Sequence, residues 1–451
     1  MIMEKDSLCE KQVRVEKDSL GEKQLAECAI YGIQTARAIE NFNLNYKKTD
    51  ISLIYAIIQI KKAAAHTYET LGIGKPGVYK AIVQSCDLIL GGGYEDAFIT
   101  SALQGGAGTS TNMNVNEVLA NLTLIKLGYQ YGEYQHVHPL DDVNRGQSTN
   151  DVYPTALRIA AIKKLRVLSD ECAQLQQAFQ LKENEFDHIQ KLGRTELMDA
   201  LPITLGQEFG AFAQALGRDR WRLYKVEERL RQVNLGGTAV GTGNNADKKF
   251  RFGILEVLRE YTGMGLAAAE YPMDITQNND IFVEVSGLMK ALAVNLMKIA
   301  NDIRLMSSGP KGGFGEIKLK ALQMGSTIMP GKVNPVIPEM VMQVAMKVIA
   351  NDSAITMAAS HGEFELNAFM PLIADTLLES LQLLIDVVES FRTKCVEHIL
   401  PDEEKCRQLL EASYAFATAY TVEYGYDFVS DAMNKSNGDP LKLKGILEEK
   451  R

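Results

Sequence analysis

The sequence has no long hydrophobic run and no apolar segment at its N-terminus. None of its apolar stretches reaches the roughly 18 to 20 residues that a membrane-spanning helix needs. Acidic residues occupy the start of the chain, where a secretory signal peptide would have an apolar core. These absences predict a cytoplasmic protein that does not associate with membranes.

The chain also lacks an excess of positive charge. It has 48 Lys and Arg against 57 Asp and Glu, which gives a formal net charge of −9. No block of Lys and Arg forms a stripe that would bind a phosphate backbone. The charge pattern therefore predicts that nucleic acid is not a partner.

Paired metal-binding or disulfide motifs are missing as well. The six cysteines are scattered without a Cys-x-x-Cys pair, which favours free thiols. His136 and His138 have an i, i+2 spacing that can hold a metal on a strand but not on one face of a helix. Because no acidic or cysteine cluster accompanies them, no metal site is predicted.

What the chain does have is hydrophobic periodicity over long distances. Its 451 residues are 46% hydrophobic, enough for a large core in two or three cooperating domains. Apolar residues recur at helical spacing over most of the chain, for example from Ile281 to Ser307, and few stretches alternate with a period of two. From Thr155 to Leu235 the pattern predicts long helices interrupted mainly at Gly193, Pro202 and Gly206. The fold class is predicted to be mainly α, with short strands near Val13 to Val15 and at 129–137.

Local composition suggests how the chain is divided. Residues Glu4 to Gln12 recur almost unchanged as Glu16 to Gln24, and one such repeat does not make a solenoid. The predicted parts are a disordered extension (1–15), an N-terminal domain (16–150), a central helical bundle (151–400) and a small C-terminal domain (401–451).

Two segments interrupt the helical pattern with glycine, hydroxyl and amide residues. The first runs from Gly105 to Glu117 and contains Thr109 and Ser110. The second runs from His138 to Pro154 and contains Ser148, Thr149 and Asn150. Glycines allow a ligand to approach the backbone, and helix N-termini favour anions. Alone, each segment is equally compatible with an ordinary helix cap.

A third polar segment combines chemical groups that a plain surface loop rarely brings together. It comprises Ser307 to Glu316 and then Gly325 to Pro335, where the glycines indicate a mobile loop. Ser326, Lys332 and Asn334 supply a hydroxyl, a cation and an amide within nine residues. Such groups can bind and deprotonate an anionic substrate.

Taken together, these segments resemble the three separated signature regions of the aspartase/fumarase superfamily. The likeness extends from about Val15 to Pro371 and includes Gly193-Arg-Thr195 and the glycine-rich stretch from Asn234 to Gly243. Within the superfamily, the details resemble aspartate ammonia-lyases. The C-terminal part after Pro401 matches the family less well.

The resemblance implies a fold, an assembly and a reaction. The fold has a long central helix bundle with small N- and C-terminal domains, and the assembly is a homotetramer whose active sites are each shared by three subunits. The implied reaction removes the C3 proton of L-aspartate and releases ammonia to leave fumarate through an aci-carboxylate. It requires no organic cofactor. Some aspartases are activated by a divalent metal at a separate site, which nothing in this sequence marks.

The resemblance also assigns roles to matching residues. Ser326 matches the general base, and Lys332 and Asn334 match the residues that bind the distal carboxylate. Thr109, Ser148 and Thr149, with Thr327 nearby, match the residues that bind the carboxylate next to C3. Asn150, Thr195 and Glu196 match the positions that hold the leaving group. The substrate-binding residues so implied are Thr109, Ser110, Ser148, Thr149, Asn150, Thr195, Glu196, Thr327, Lys332 and Asn334.

One of these positions departs from the family pattern. Glu196 stands where fumarases carry histidine and aspartases histidine or glutamine. A carboxylate there favours an amine leaving group, but it also leaves open a modified aspartate or other amino dicarboxylate as substrate. Alternatively, Glu196 simply pairs with Arg194 or Lys332. Fumarate hydratase and a catalytically silent binding protein are the remaining alternatives, and the intact Ser326 argues against the latter.

Overall fold

The structure, a computed structural model, describes residues 12–449 and is mainly helical, which confirms the predicted fold class. The α-helices are Ile33–Asn41 (α1), Ile51–Leu71 (α2), Val78–Leu90 (α3), Thr109–Lys126 (α4), Thr149–Glu185 (α5), Leu205–Leu230 (α6), Lys248–Thr262 (α7), Pro272–Gln277 (α8), Asp280–Met306 (α9), Val336–Ala359 (α10), Met370–Lys394 (α11), Glu403–Glu411 (α12), Ala417–Tyr424 (α13), Tyr426–Ser436 (α14) and Pro440–Glu448 (α15). The strands are Val13–Asp18 (β1), Gly21–Ala26 (β2), Gln190–Thr195 (β3), Met198–Thr204 (β4), Gln232–Val233 (β5), Ala267–Ala268 (β6), Ile317–Lys318 (β7) and Leu400–Pro401 (β8).

The first hairpin bears on two predictions for the N-terminus. β1 pairs antiparallel with β2, from Val13 opposite Ala26 to Asp18 opposite Gly21, so the strand predicted near Val13 is confirmed. The predicted disordered extension covered residues 1–15, of which 1–11 lie outside the described residues. Residues 13–15 belong to β1, so this part of the prediction is wrong.

The strand predicted at 129–137 is wrong. The segment consists of turns, with Gly128 and Gly132 at φ values of +89° and +83°. The side chain of Asn121 accepts a hydrogen bond from the Gly132 N–H at 2.9 Å, and the Tyr129 ring stacks on His136 with centroids 3.8 Å apart. Left-handed glycines and side-chain partners therefore take the place of a strand ladder.

The two ends of α2 follow ordinary capping chemistry. Asp50 accepts a hydrogen bond from the Ser52 N–H at 2.8 Å, and Gly72 ends the helix in the left-handed conformation at φ +64°. Its apolar face, including Ile54, Ile57 and Ile60, is fully buried. An N-cap, a C-terminal glycine and a buried stripe together fix the limits of the helix.

Contacts divide the chain into two compact units, neither of which is continuous in sequence. Unit 1 comprises 1–166, 223–289 and 350–382, and unit 2 comprises 167–222, 290–349 and 383–451. Five helices of 24 to 37 residues begin in one unit and end in the other, namely α5, α6, α9, α10 and α11. The division at 150 and 400 stays a prediction.

Long helices pack side by side within each unit. In unit 1, Ser286 of α9 donates to Asp352 of α10 at 2.8 Å, and Asn351 of α10 donates to Ser380 of α11 at 2.9 Å. In unit 2, phenylalanines of α5, α6 and α11 form an aromatic cluster around Phe179. Within residues 12–449, no helix is both long and apolar enough to span a bilayer.

Candidate active site

The first polar segment leads into the N-terminus of α4. Gly108 precedes the helix at φ +93°, and a Cβ atom there would lie 2.3 Å from the Tyr153 ring, so only glycine fits. Thr109 is exposed at the first helical position, and its hydroxyl donates to the Gly106 carbonyl at 2.7 Å. Ser110 follows and is half-buried. Both side chains thus lie at the positive end of a helix dipole.

The second polar segment forms a capping box at the start of α5. The Asp151 side chain accepts from the Ser148 N–H at 3.0 Å, while the Ser148 hydroxyl accepts from the Asn150 N–H at 3.2 Å. The alternative interpretation of this segment as a helix cap is therefore confirmed. Thr149, the first residue of the helix, is buried. The cap fixes three consecutive polar side chains at one helix end.

The glycine-rich stretch from Asn234 to Gly243 packs against the same end of α5. Asp151 accepts hydrogen bonds from the N–H groups of Gly236 and Thr238 at 3.1 and 3.0 Å, and Asn150 donates to the Ala239 carbonyl at 2.8 Å. Burial raises the pKa of Asp151 to about 6, against the opposing effect of its backbone donors. This loop therefore helps to hold the start of α5 in place.

The two helix starts are joined by buried amides. Asn112 of α4 donates from Nδ2 to the Thr149 hydroxyl oxygen at 3.1 Å and to the Asn144 side chain at 3.2 Å. Asn144 in turn accepts from the ammonium of Lys61 at 2.7 Å. The structure thus brings Thr109, Ser110, Ser148, Thr149 and Asn150 to two neighbouring helix starts within unit 1.

Lys61 and Asn144 were not predicted as site residues. Lys61 lies on α2 and is completely buried, which lowers its pKa to about 7. The available signal was a lysine next to Ile60 on an otherwise apolar, buried helix face, because a charge at such a position needs polar partners. Sequence spacing alone does not reveal which amides those partners are.

The residues predicted to hold the leaving group lie on a hairpin of unit 2. β3 and β4 pair antiparallel, with Thr195 opposite Met198. Glu196 and Leu197 form the two-residue turn with φ values of +56° and +65°, and both are exposed. Asn150, which the resemblance assigns to the same group, belongs to unit 1.

Arg194 has a partner other than Glu196. Its guanidinium donates to the fully buried Glu316 at 2.9 Å and lies 4.1 Å from the centre of the Phe314 ring. Lys191 makes a second ion pair with Glu316, also at 2.9 Å. These contacts attach the hairpin to the polar stretch from Ser307 to Glu316.

The loop from Gly325 to Pro335 is closed by its own polar groups. The Ser326 hydroxyl oxygen accepts hydrogen bonds from the N–H groups of Ile328 and Met329 at 3.2 and 3.0 Å. Asn334 donates to the Gly325 carbonyl at 2.6 Å. A Cβ on Gly325 would lie 1.9 Å from the Lys332 carbonyl oxygen, so this crossing requires glycine. Thr327 and Lys332 are exposed.

The predicted site residues therefore fall into two sets. The set in unit 1 lies at the starts of α4 and α5, and the set in unit 2 lies on the β3–β4 turn and the Ser326 loop. The first set offers hydroxyl and amide donors at helix N-termini. The second offers a hydroxyl that already accepts two N–H donors, together with a lysine. Carboxylate binding and proton abstraction need these two kinds of group.

The histidine pair has local structural roles. His136 stacks on Tyr129, and His138 Nδ1 accepts from the N–H groups of Leu140 and Asp141 at 3.2 and 3.1 Å. Across residues 12–449, no group of three or more His, Cys, Asp and Glu side chains forms a candidate metal site. Within that range no two cysteines form a disulfide, and all of them except Cys28 are buried.

Comparison with known proteins gives consistent results. A family model described as lyase matches residues 21–350. The aspartate ammonia-lyases of Helicobacter pylori and Bacillus subtilis are 45% and 44% identical to this chain, over 92% and 93% of it and 89% and 88% of their own lengths. The aspartate ammonia-lyase of Pseudomonas fluorescens is 46% identical over 92% of this chain and 87% of its own.

Solved structures agree with the sequence matches. Fumarate lyase:delta crystallin from Brucella melitensis, bound to cobalt, superimposes with a TM-score of 0.92 at 43% identity and covers 97% of this chain and 98% of its own. A class II fumarase from Schistosoma mansoni reaches a TM-score of 0.90 at 34% identity, covering 94% and 93%. Both similarities extend over nearly the whole chain.

Proposed function

The chain belongs to the lyase family, and from that premise we propose that it is a carbon–nitrogen lyase that eliminates ammonia from L-aspartate to give fumarate. The support is its 44–46% identity to aspartate ammonia-lyases over 92–93% of the chain. The geometry of Ser326 is the observation that carries the mechanistic proposal.

Ser326 is proposed as the general base that removes the C3 proton. A serine hydroxyl is ordinarily a very weak acid, so its alkoxide needs strong stabilisation. Two backbone N–H groups already point at its oxygen, from Ile328 and Met329. Fixed dipoles of this kind stabilise a negative oxygen without reorganising during the reaction. Closure of the glycine-rich loop over the substrate would also exclude water.

Loss of the C3 proton gives the neighbouring carboxylate a second negative charge, forming the aci-carboxylate. Thr109, Ser148 and Thr149 are proposed to donate hydrogen bonds to it, with Ser110 and Thr327 nearby. For Thr109 this requires its hydroxyl to exchange the Gly106 carbonyl for the substrate carboxylate. Thr109 lies at the N-terminus of α4, and Ser148 and Thr149 lie at the N-terminus of α5. All three are therefore near the positive end of a helix dipole. Removing one donor from such a site typically raises the barrier by about 3 to 4 kcal/mol.

Lys332 and Asn334 are proposed to bind the other carboxylate. Because Asn334 donates to the Gly325 carbonyl, it also keeps the ends of the loop together. Asn150, Thr195 and Glu196 are proposed to hold the leaving amine. All the groups that this reaction needs are side chains and backbone amides, so we propose that it uses no organic cofactor.

A second candidate substrate follows from Glu196. Arg194 binds Glu316, so the interpretation of Glu196 as the partner of Arg194 has no support from this contact. An exposed carboxylate attracts an ammonium group and repels a carboxylate. A modified aspartate, or another amino dicarboxylate with a neutral or cationic group on that side, is therefore the alternative. Fumarate hydration is disfavoured by the same charge.

The assembly is proposed to be a cytoplasmic homotetramer whose sites are each completed by three subunits. Exposed apolar side chains on the long helices support an oligomer, among them Val294 on α9 and Met346 and Met357 on α10. Met346 and Met357 lie about three helical turns apart and therefore on the same face of α10. Exposed apolar residues that share one face, unlike scattered single ones, mark subunit contacts. A role in amino-acid metabolism follows from the proposed reaction.

Replacement of Ser326 by alanine tests the proposed base. We expect turnover of aspartate to fall by at least about a thousandfold, because the variant lacks the hydroxyl that is proposed to take the proton. Formation of fumarate, followed by its ultraviolet absorbance, measures the effect. Ser360→Ala, at an exposed helix end, is the matched control and should retain activity. Near-normal turnover in Ser326→Ala would contradict the assignment.

Glu196→Gln tests how the leaving group is recognised. For aspartate, kcat/KM should fall about 2- to 5-fold, the scale of an exposed ion pair. Asp199→Asn removes the same charge from the same hairpin and should leave kcat/KM unchanged. Malate and substituted aspartates complete the panel. If aspartate turnover improves while that of a substituted aspartate collapses, the second candidate replaces the first.

A further inference from the structure

A buried polar network lies beneath the starts of α4 and α5, and the proposed mechanism does not use it. Its members are Lys61, Asn112, Asn116 and Asn144 together with Gln147. Lys61, Asn112 and Asn116 are buried, so each has lost its contact with water. Burying so many polar groups is costly unless their hydrogen bonds are specific.

Lys61 fixes the direction of the hydrogen bonds around it. Its Nζ atom faces two side-chain oxygens, Asn144 Oδ1 at 2.7 Å and Gln147 Oε1 at 3.0 Å. The amide nitrogens of both partners are committed to backbone carbonyls, of Gln147 for Asn144 and of Val143 for Gln147, each at 3.1 Å. Neither amide can turn its nitrogen toward Lys61 without losing these bonds. Lys61 is therefore the donor to both.

The hydrogen-bond direction that Lys61 sets at Asn144 also determines the orientation of the Asn112 amide. Because the Asn144 oxygen faces the interior of the network, the groups that meet it must donate, and Asn112 does so from Nδ2 at 3.2 Å. Asn116 approaches the same oxygen in the same way. The Nδ2 group of Asn112 also donates to the Thr149 hydroxyl oxygen at 3.1 Å. Thr149 is thus an acceptor inside the protein.

The hydroxyl proton of Thr149 therefore points away from Asn112. Within the described part of the chain, Thr149 Oγ1 makes no hydrogen bond other than the one it accepts from Asn112. A hydroxyl has one proton to donate. With its internal partner acting as donor, that proton is available to a ligand at the helix start.

We propose that Lys61, Asn144 and Asn112 form a positioning chain that keeps the Thr149 hydroxyl oriented as a hydrogen-bond donor to the substrate carboxylate. The inference rests on the proposed function, in which Thr149 binds the carboxylate next to C3. The three residues do not touch the substrate. They determine which way a hydroxyl faces, so that it is prepared for the dianion before the reaction begins.

Asn112→Asp is the most direct test. A carboxylate at this position accepts a hydrogen bond from the Thr149 hydroxyl, which turns the hydroxyl proton toward the introduced carboxylate and away from the substrate. We expect kcat/KM for aspartate to fall by about tenfold or more, the usual scale for losing a hydrogen bond to a charged group. KM should rise and kcat should fall together. The inhibition constant of succinate, a dicarboxylate without the amine, should rise by at least about threefold.

Asn114→Asp is the matched control. Asn114 is equally buried on the same helix, but its amide bonds to the Ala97 carbonyl and the Ile99 N–H, away from Thr149. Both variants introduce a buried carboxylate, so both should lose thermal stability. Only Asn112→Asp should change KM and the succinate constant, since a purely structural defect lowers the active fraction and leaves KM unchanged.

Two further variants test the proposal if Asn112→Asp does not fold. Asn112→Ala leaves the Thr149 hydroxyl unoriented, and Lys61→Met removes the first donor. Each of these variants should also raise KM for aspartate, by a smaller factor than Asn112→Asp does. Unchanged KM and succinate constants in all folded variants would overturn the proposal. If the wild-type protein releases no fumarate from aspartate but succinate still binds more weakly to Asn112→Asp, the proposed reaction fails and the positioning chain stands.

Discussion

At the scale of single residues, the sequence pointed to the polar side chains at the surface of the candidate site but not to those beneath it. Ser148, Thr149 and Ser326 stand in segments whose composition is unusual, and composition is visible in a sequence. Lys61 stands in an ordinary amphipathic helix, 51 residues before Asn112. Its partners follow only from how α2, α4 and the loop before α5 fold together, which no local pattern encodes.

The burial of Lys61 predicts a pH dependence of stability. Its pKa is lowered to about 7 in the folded protein, against roughly 10.4 in an unfolded chain. Between these values the unfolded chain holds a proton that the folded protein lacks, so the free energy of unfolding rises with pH. Relative to Lys61→Met, the wild type should gain up to about 4 kcal/mol between pH 7 and 10.

Urea unfolding at several pH values measures this difference. The titratable groups that act on Lys61 are Asp151 of α5 and Cys86 of α3. Asp151 has a pKa of about 6 and titrates below this window. Burial raises the pKa of the Cys86 thiol, and because this thiol is present in both proteins, its own titration cancels. Parallel pH curves for the two proteins would contradict the prediction.

At the scale of elements, periodicity predicted the long helices correctly and missed the hairpin between two of them. α9 spans Asp280–Met306 where apolar spacing predicted a helix from Ile281 to Ser307. By contrast, Gly193, Pro202 and Gly206 were interpreted as breaks between helices. In the structure the first two lie in β3 and β4. β3 buries three consecutive residues and β4 buries none, so neither strand alternates between buried and exposed residues. A short hairpin whose strands do not alternate in this way has no period-two signal in the sequence.

The turn of that hairpin holds two side chains in an unfavourable backbone region. Leu197 has φ +65° at the second turn position, where two-residue hairpins favour glycine. Its side chain is exposed, so Leu197→Gly removes strain and loses little packing. We expect an increase in the free energy of unfolding of about 0.5 to 1 kcal/mol.

The neighbouring Met198→Gly is the control for this prediction. Met198 is as exposed as Leu197 but lies in the strand, opposite Thr195. Glycine there gains no relief of strain and loses strand preference, so the variant should be destabilised. Thermal unfolding of the two variants gives the comparison. Equal destabilisation would show that the turn carries no strain at Leu197.

At the scale of the whole molecule, the compact units do not follow the order of segments along the chain. Each unit collects three separate segments, because helices of 24 to 37 residues carry the chain from one unit to the other. A sequence that is interpreted from one end to the other is divided at linkers, and none of these crossings is a linker. Periodicity indicated the long helices, whereas sites shared between subunits were implied only by the family resemblance.

Sharing of sites between subunits predicts that two inactive variants restore activity together. Ser326→Ala changes a residue of unit 2 and Ser148→Ala one of unit 1, and each variant alone should be nearly inactive. If the two residues of one site come from different subunits, random assembly of equal amounts leaves about one quarter of the sites with both residues intact. Co-expressed or co-refolded mixtures should then regain about a quarter of wild-type fumarate formation.

A mixture of Ser326→Ala with a Ser326→Ala, Ser148→Ala double variant is the control and must stay inactive, because no intact base remains. If the first mixture also stays inactive although mixed tetramers are shown by native mass spectrometry, each site takes Ser326 and Ser148 from the same chain.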